Sequence, residues 1–248
     1  MAGKMTAKII GPDSFSQRQL PLRQLEKPQG ETVHLWHLDF NQLSNPLNPD
    51  KTIHNCDLSA VQQRAIRRFY LRLLLGAYLG LPGKDVHINR RIKGRPELDV
   101  SQSKGELDFS VARSNCCYLI GISSGPIIGV DLERAERRSG NPLALARRYF
   151  SREETAALSS LGEAQLQRAF MHTWACKEAM VKASGMGIAN QLCRFTVEVD
   201  PLKPPAVLAM PDDDHGAWTL GIAEPVVGAI AAVAVHQPAV QILGFSLS

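Results

Sequence analysis

The order of elements legible in the 248 residues predicts an α+β fold of two loosely similar halves, each with one long helix and a small sheet. Three observations carry this expectation. A composition of 44% apolar and 21% charged residues suits one large globular domain or two small ones. Helical periodicity appears over 58–80 and again over 163–184. The apolar runs elsewhere are short, β-prone and bounded by turns rich in Gly, Pro, Asn and Asp.

Residues 1–30 mix charge, Gln and Pro around one apolar pair, Ile9-Ile10, and read as a polar leader without the apolar region of a signal peptide. An N-terminal α+β half is expected over 31–125 and a C-terminal one over 126–248. The first strand is Thr32 to Leu38, where His34 and His37 are an odd number of residues apart and face opposite ways. Between Leu58 and Gly80 a helix is predicted, with Ala65, Phe69, Leu73 and Ala77 at steps of four as its apolar line and Gly80 as its stop. A neighbouring line carries Arg64, Arg68 and Arg72, with Arg67 close by. This is either a solvated basic face or a phosphate-binding one.

A short strand at Val86 to Asn89 and a turn at Lys93-Gly94-Arg95-Pro96 follow. The β-rich runs Cys116 to Ser123 and Ile127 to Glu133, separated by Ser124-Gly125-Pro126, predict a hairpin. Ser151-Arg152-Glu153-Glu154 has the spacing of a capping box, so a helix starts there. A longer helix runs from Glu163 to Ser184 and stops at Gly185 and Gly187. Phe195 to Val199, Trp218 to Ile222, Val227 to Val235 and Val240 to Phe245 complete the strands.

Composition excludes several classes. The five cysteines, Cys56, Cys116, Cys117, Cys176 and Cys193, are odd in number and contain no C-x-x-C, which disfavours a disulfide framework or a four-thiolate zinc site and fits a reducing cytoplasm. The apolar run from Pro225 to Val235 is too short to cross a bilayer, which takes about 20 residues, so no membrane association is expected. A net charge of +4 steers phosphorylated ligands or acidic partner proteins but is too small to argue for nucleic acid. The arginine stripe also has little aromatic interleaving beyond Phe69 and Tyr70.

The sharpest local feature is Gly129-Val130-Asp131-Leu132-Glu133. Alternation along a strand sends Asp131 and Glu133 to one side and Val130 and Leu132 into the core. Two carboxylates sharing a site repel each other unless a divalent cation lies between them, and hard oxygens beside phosphates suit magnesium; two solvated acids at a strand end is the alternative. In Trp174-Ala175-Cys176-Lys177-Glu178-Ala179-Met180-Val181-Lys182, steps of four align Trp174, Glu178 and Lys182 on one helix face. Glu178 is then placed to complete a three-carboxylate Mg2+ site, with Lys177 and Lys182 neutralising a diphosphate; the alternative is a simple ion pair between Glu178 and Lys182.

Together, G-V-D-L-E and W-A-C-K-E-A-M-V-K resemble the two signatures of 4′-phosphopantetheinyl transferases, in particular the larger, surfactin-synthetase-activating type. Arg148-Tyr149-Phe150-Ser151 is similar to the R-x-F-[ST] segment of that family, and the likeness extends from about Leu58 to Val235. The resemblance implies a pseudo-dimer of two similar α+β halves with coenzyme A bound in the cleft between them. It implies Asp131, Glu133 and Glu178 as magnesium ligands and Lys177 and Lys182 as lysines near the phosphates. Arg68 lies where the family's first long helix contributes a phosphate contact, and Gly94-Arg95-Pro96 is similar to the G-[KR]-P turn approaching the nucleotide. Where the family commonly has F-N-[IL]-S-H-S, this chain has Phe109-Ser110-Val111-Ala112-Arg113-Ser114. Arg113 thus stands in place of a histidine, able to grip a phosphate bidentately and charged at any physiological pH.

The implied reaction is attack by a serine hydroxyl of an acyl, peptidyl or polyketide carrier protein on the β-phosphate of coenzyme A, with Glu178, directly or through a metal-bound water, as general base and Lys182 as charge stabiliser. If two halves make one cleft, a monomer suffices. The segment from Arg147 to Phe150 is a candidate docking surface for the carrier protein. The alternative, suggested by Ala112 and Arg113, is a coenzyme A or nucleotide-binding homologue with impaired transfer.

Overall fold

In a computed structural model, which describes residues 10–46, 48, 58–90, 95–134, 140–185, 191–211 and 214–247, local signals place most elements where periodicity expects them. Of the sequence readings, Cys56, Lys93, Gly94, Gly187 and the start of the leader with Ile9 lie outside the described residues.

The N-terminal elements are strands β1 (Phe15–Arg18) and β2 (Thr32–Asp39), helix α1 (Ala60–Leu79), strands β3 (Ile88–Arg90) and β4 (Pro96–Leu98), the single turn α2 (Val100–Ser103), and strands β5 (Asp108–Ser114) and β6 (Cys117–Ser123). Then come β7 (Ile128–Arg134), helices α3 (Pro142–Tyr149), α4 (Arg152–Ser159) and α5 (Glu163–Ser184), and strands β8 (Thr196–Val197), β9 (Val207–Ala209), β10 (Thr219–Ala223), β11 (Ala229–Val235) and β12 (Gln241–Leu247).

The helix ends follow local chemistry. Ser59 caps α1 in a reciprocal box with Gln62, and Ser151 caps α4 in the expected box with Glu154. Gly80 and Gly185 close α1 and α5 at φ 67°, a left-handed conformation that glycine adopts without steric cost. None of the described helices is long and apolar enough to cross a membrane.

Strand pairing repeats a pattern. In the first half β2 pairs with β6 and β6 with β5; in the second, β7 pairs with β11 and β11 with β10, all antiparallel. Each half thus runs strand, long helix, two-stranded ribbon (β3-β4 or β8-β9), then two strands that complete its sheet. The two similar α+β halves of the expectation are visible in this topology. Two strands depart from it: β12 returns to lie parallel to β2, and β1 lies parallel to β12, making a five-stranded sheet β1-β12-β2-β6-β5 beside the three-stranded β10-β11-β7. The leader therefore contributes a strand, although its sequence is polar.

The predicted hairpin of Cys116 to Ser123 with Ile127 to Glu133 does not form; β6 pairs with β2 and β5, while β7 pairs with β11. The two strands instead stack across the gap between sheets. Ile128 and Val130 lie so close to Gly121 that a Cβ there would meet Val130 Cγ1 at 2.5 Å. One apolar cluster, including Val33, Leu35, Leu119, Val130, Leu132 and Val233, is shared by the facing sheets. On the outer face of the larger sheet, Trp36, Leu38, Phe109 and Ile120 pack against Ile66, Tyr70 and Leu74 of α1. On the outer face of the smaller one, Ala232 and Ala234 pack against Ala175, Ala179 and Met180 of α5. The layers are therefore helix, sheet, sheet, helix.

The buried face of α1 is Ile66, Tyr70, Leu74 and Tyr78 with Leu71 and Leu75, one residue out of phase with the predicted line. Ala65 and Phe69 are exposed. Both sequences of four are apolar, and the aromatic hydroxyls choose between them: Tyr70 Oη donates to Ser44 O at 2.5 Å and Tyr78 Oη accepts from Trp36 Nε1 at 2.8 Å. Tyrosine carries both a large apolar body and a polar tip that finds a partner when buried.

Candidate active site

Alternation along β7 sends Ile128, Val130 and Leu132 into the core between the sheets and Gly129, Asp131 and Glu133 toward α5. The approach of α5 is very close at one point. A Cβ on Gly129 would meet Ala179 O at 2.0 Å and Ala183 N at 2.4 Å, so the helix backbone can sit on the strand only because residue 129 has no side chain. Asp131, Glu133 and Glu178 are all buried, and Lys182 Nζ donates to Asp131 Oδ1 at 2.7 Å and to Val130 O at 3.1 Å.

The electrostatics tie these side chains together. The Glu178 carboxyl is pushed up to about 7, first by burial, then by the neighbouring Asp131 and, more weakly, Glu133, against the opposing pull of Lys182. Asp131 Oδ2 is buried with no hydrogen-bond partner among the described residues. Three hard carboxylates thus face one another across the strand and helix with a single ammonium among them, and one oxygen is uncommitted. Carboxylate oxygens are the hard donors that a divalent cation takes, but among the described residues no three acidic, His or Cys side chains are gathered closely enough to hold a metal ion. The i,i+4 pair between Glu178 and Lys182 gives way to an ion pair across to β7.

Three other expected site residues stand elsewhere. Lys177 is the largest correction: it is 0% exposed, and its Nζ donates to Glu154 Oε1 at 2.7 Å and Phe195 O at 2.6 Å above the Phe195 ring. One helix position from Glu178 is about 100° of rotation, which turns Lys177 into the core behind the acids. Glu154 also accepts from Val197 N at 2.8 Å and Ser151 N at 2.9 Å. Its capping carboxylate is therefore the buried partner that sequence could not supply.

Arg68 is exposed, and Arg67 is the α1 arginine that meets Arg113: burial and then the Arg113 guanidinium lower the Arg67 pKa, with Tyr118 alongside. Arg72 is spent on Val86 O and Lys84 O, so the arginine stripe does not act as a unit. Arg95 is no free phosphate donor. Its guanidinium is occupied by Lys182 O, Ala183 O, Asp108 Oδ2, Phe109 O and Ile128 O.

The halves meet along β5 and β7 through side chains. Ile128 N donates to Asp108 Oδ2 at 3.0 Å and Val130 N to Ser110 Oγ at 3.1 Å. The pairs step in the same direction, so the strands run side by side and the Arg113 end of β5 lies with the Glu133 end of β7. β5 is not among the predicted strands; Asp108 carried no sequence signal, and Ser110 entered only within the Phe109–Ser114 stretch set against the family motif. The Arg148–Ser151 stretch packs on α5, with Phe150 stacked on Phe170 at 5.3 Å and Tyr149 edge-on to Trp174 at 6.0 Å.

Residues 127–235 match the 4′-phosphopantetheinyl transferase superfamily. The 4′-phosphopantetheinyl transferase HetI of a Nostoc species is 32% identical over 215 residues, covering 83% of this chain and 88% of that protein. Sfp, a 4′-phosphopantetheinyl transferase of Bacillus subtilis, is 26% identical over 156 residues, covering 57% of this chain and 66% of that protein. Among solved structures, a holo-(acyl-carrier-protein) synthase from Bacillus anthracis in complex with CoA (3′,5′-ADP) matches with TM-score 0.37 at 21% identity, over 46% of this chain and 98% of that one. The chain belongs to the 4′-phosphopantetheinyl transferase superfamily.

Proposed function

We propose that this chain transfers the 4′-phosphopantetheine arm of coenzyme A to a serine of an acyl or peptidyl carrier protein, as a magnesium-dependent enzyme of the surfactin-synthetase-activating type. The observation that carries the reading is the meeting of Asp131, Glu133, Glu178 and Lys182 on the facing surfaces of β7 and α5, in a chain whose relatives bear the transferase name.

Asp131, Glu133 and Glu178 would hold magnesium, with the uncommitted Asp131 Oδ2 as a ready ligand. When bound, the ion neutralises the three acids and lends positive charge to the phosphates of the substrate. The protein's own groups do the rest. Glu178 takes the proton of the carrier serine as its Oγ forms a bond to the β-phosphorus of coenzyme A, and the bond to 3′,5′-adenosine diphosphate breaks. Lys182, held at the strand by Asp131 and Val130 O, offsets charge gathering on the transferred phosphoryl oxygens. Arg67 and Arg113, two cations brought together on α1 and β5, bind the phosphates at the nucleotide end. Burial of the acids keeps water from competing for the phosphorus. The positive overall charge favours approach of an acidic carrier protein. The enzyme works as a monomer, since one chain supplies both halves, and the odd cysteine count without C-x-x-C fits a cytoplasmic setting.

The test is mass spectrometry of apo carrier proteins after incubation with coenzyme A and magnesium. Addition of a phosphopantetheine mass, its loss with chelator, and its loss in Glu178→Ala are expected. Unmodified carrier across acyl and peptidyl types, or near-normal turnover by the Glu178 variant, would refute the reading.

A further inference from the structure

The last carbonyls of a helix have no partner within it and carry the negative end of its dipole. In α5 the Val181 carbonyl is closed by Gly185 N, but those of Lys182 and Ala183 are met from the other half of the molecule, by Arg95 Nη1 at 3.2 and 3.4 Å. The same guanidinium reaches β7: its Nη2 donates to Ile128 O at 3.1 Å and to Asp108 Oδ2 at 2.5 Å, while that Asp108 oxygen accepts from Ile128 N at 3.0 Å. Both backbone groups of Ile128 and two terminal carbonyls of α5 are thus held by one ion pair that belongs to neither element.

The location is telling. Ile128 precedes Gly129, against which the backbone of α5 packs directly, and Lys182 is the residue whose ammonium bonds Asp131. The ion pair is largely shielded, with side-chain exposures of 16% for Arg95 and 26% for Asp108, so solvent competes with it little. Of the five N–H donors on Arg95 only Nε lacks a partner among the described residues, and it is buried. Nη1 and Nη2 are both engaged by the protein's own acceptors.

We infer that Arg95 is a positioning residue: with Asp108 it clamps the end of α5 to the start of β7 from the opposite half, and so sets the spacing at which Lys182 and Glu178 meet Asp131. The clamp gives the pseudo-dimer a specific use, since one half supplies the acids and lysine and the other holds the two elements that present them. This rests on the transferase reading for its effect on rate, but not for its effect on structure. It also separates two roles for residue 95. A nucleotide contact acts on the affinity for coenzyme A, whereas a clamp acts on the chemical step after coenzyme A has bound.

Arg95→Ala, Arg95→Lys and Asp108→Asn are the informative variants. For Arg95→Ala the expectation is a fall of about ten- to a hundredfold in kcat at saturating coenzyme A, the size of effect that small misplacements of reacting groups produce, with Kd for coenzyme A by calorimetry changed less than about twofold. Amide hydrogen exchange should rise in peptides covering 128–134 and 178–185. Arg95→Lys, which keeps the charge and reaches fewer carbonyls, should recover part of both effects; Asp108→Asn should loosen chiefly the β7 segment. Tenfold weaker coenzyme A binding with normal kcat, or unchanged exchange in both segments, would overturn the clamp. A wild-type protein that modifies no carrier would refute the transferase reading instead, leaving the exchange measurement to decide the structural claim.

Discussion

Arg67 and Arg68 are sequence neighbours with opposite fates, because one residue of phase on α1, about 100° of rotation, decides which guanidinium faces β5. Arg67 is near enough to Arg113 and Tyr118 to feel both, and two guanidinium groups acting on each other favour an anion beside them. Replacing either by alanine should weaken coenzyme A binding about 10- to 100-fold, the range expected for losing a charged hydrogen bond, while Arg68→Ala should leave it nearly unchanged; calorimetric titration of the three variants checks this. Lys177 makes the complementary point. Its burial against Glu154 means that Lys177→Met strands a carboxylate in the core, at a cost of about 3–5 kcal/mol. Denaturant unfolding should show that loss, and adding Glu154→Gln should return part of it. Had Lys177 bound phosphate, its replacement would lower affinity and leave stability alone.

At the scale of elements, the active face depends on how closely a helix can lie on a strand. Gly129 permits the approach and Ala179 and Ala183 keep the helix side narrow. Gly129→Ala should push α5 off β7, because the new methyl meets backbone atoms that have no rotamer to change. Destabilisation of about 1–3 kcal/mol is expected from such overpacking, together with loss of transfer out of proportion to it, since Glu178 and Lys182 move away from Asp131. Thermal melting and single-turnover transfer measured on the same preparation test both halves of the statement. Gly221 and Gly244 also sit against side chains, Ile242 and Phe15, but those can rotate, so their replacement should be felt less.

For the whole molecule, the layered arrangement buries titratable groups whose protons respond to folding. His34, bonded to Tyr78, and His172, near Arg168, Glu198 and Asp200, are both lowered to about 4 by burial. An unfolded chain protonates them near 6.5, so it binds more protons than the folded one between these values and stability is lost as pH falls from 6.5 toward 4. Glu178 acts in the other sense: it keeps its proton up to about 7 when folded, whereas the unfolded carboxyl releases it near 4.5. His37 is lowered by burial as well, so the histidine protons outnumber the one on Glu178 and a net loss of stability is expected as pH falls from 6.5 to 4.5 in metal-free protein. Urea unfolding across that range should follow it, and Glu178→Gln should make the slope steeper. A shallower slope in that variant would contradict the assignment of Glu178.

Sequence by itself determined what is local: the cap at Ser151, the stops at Gly80 and Gly185, the alternation that puts Asp131 beside Glu133, and the helical step from Glu178 to Lys182. Each depends on atoms a few residues apart, so a few residues suffice to read it. Only the tertiary structure decided what depends on distant chain: that β6 and β7 stack instead of pairing, that α1 buries Ile66 and Tyr70 instead of Ala65 and Phe69, that Lys177 belongs to Glu154, and that Arg95 holds the two elements of the site together. In each of these cases the local pattern allowed more than one arrangement. The choice fell to a partner far along the chain, whose burial or hydrogen bond exists only once the layers have closed.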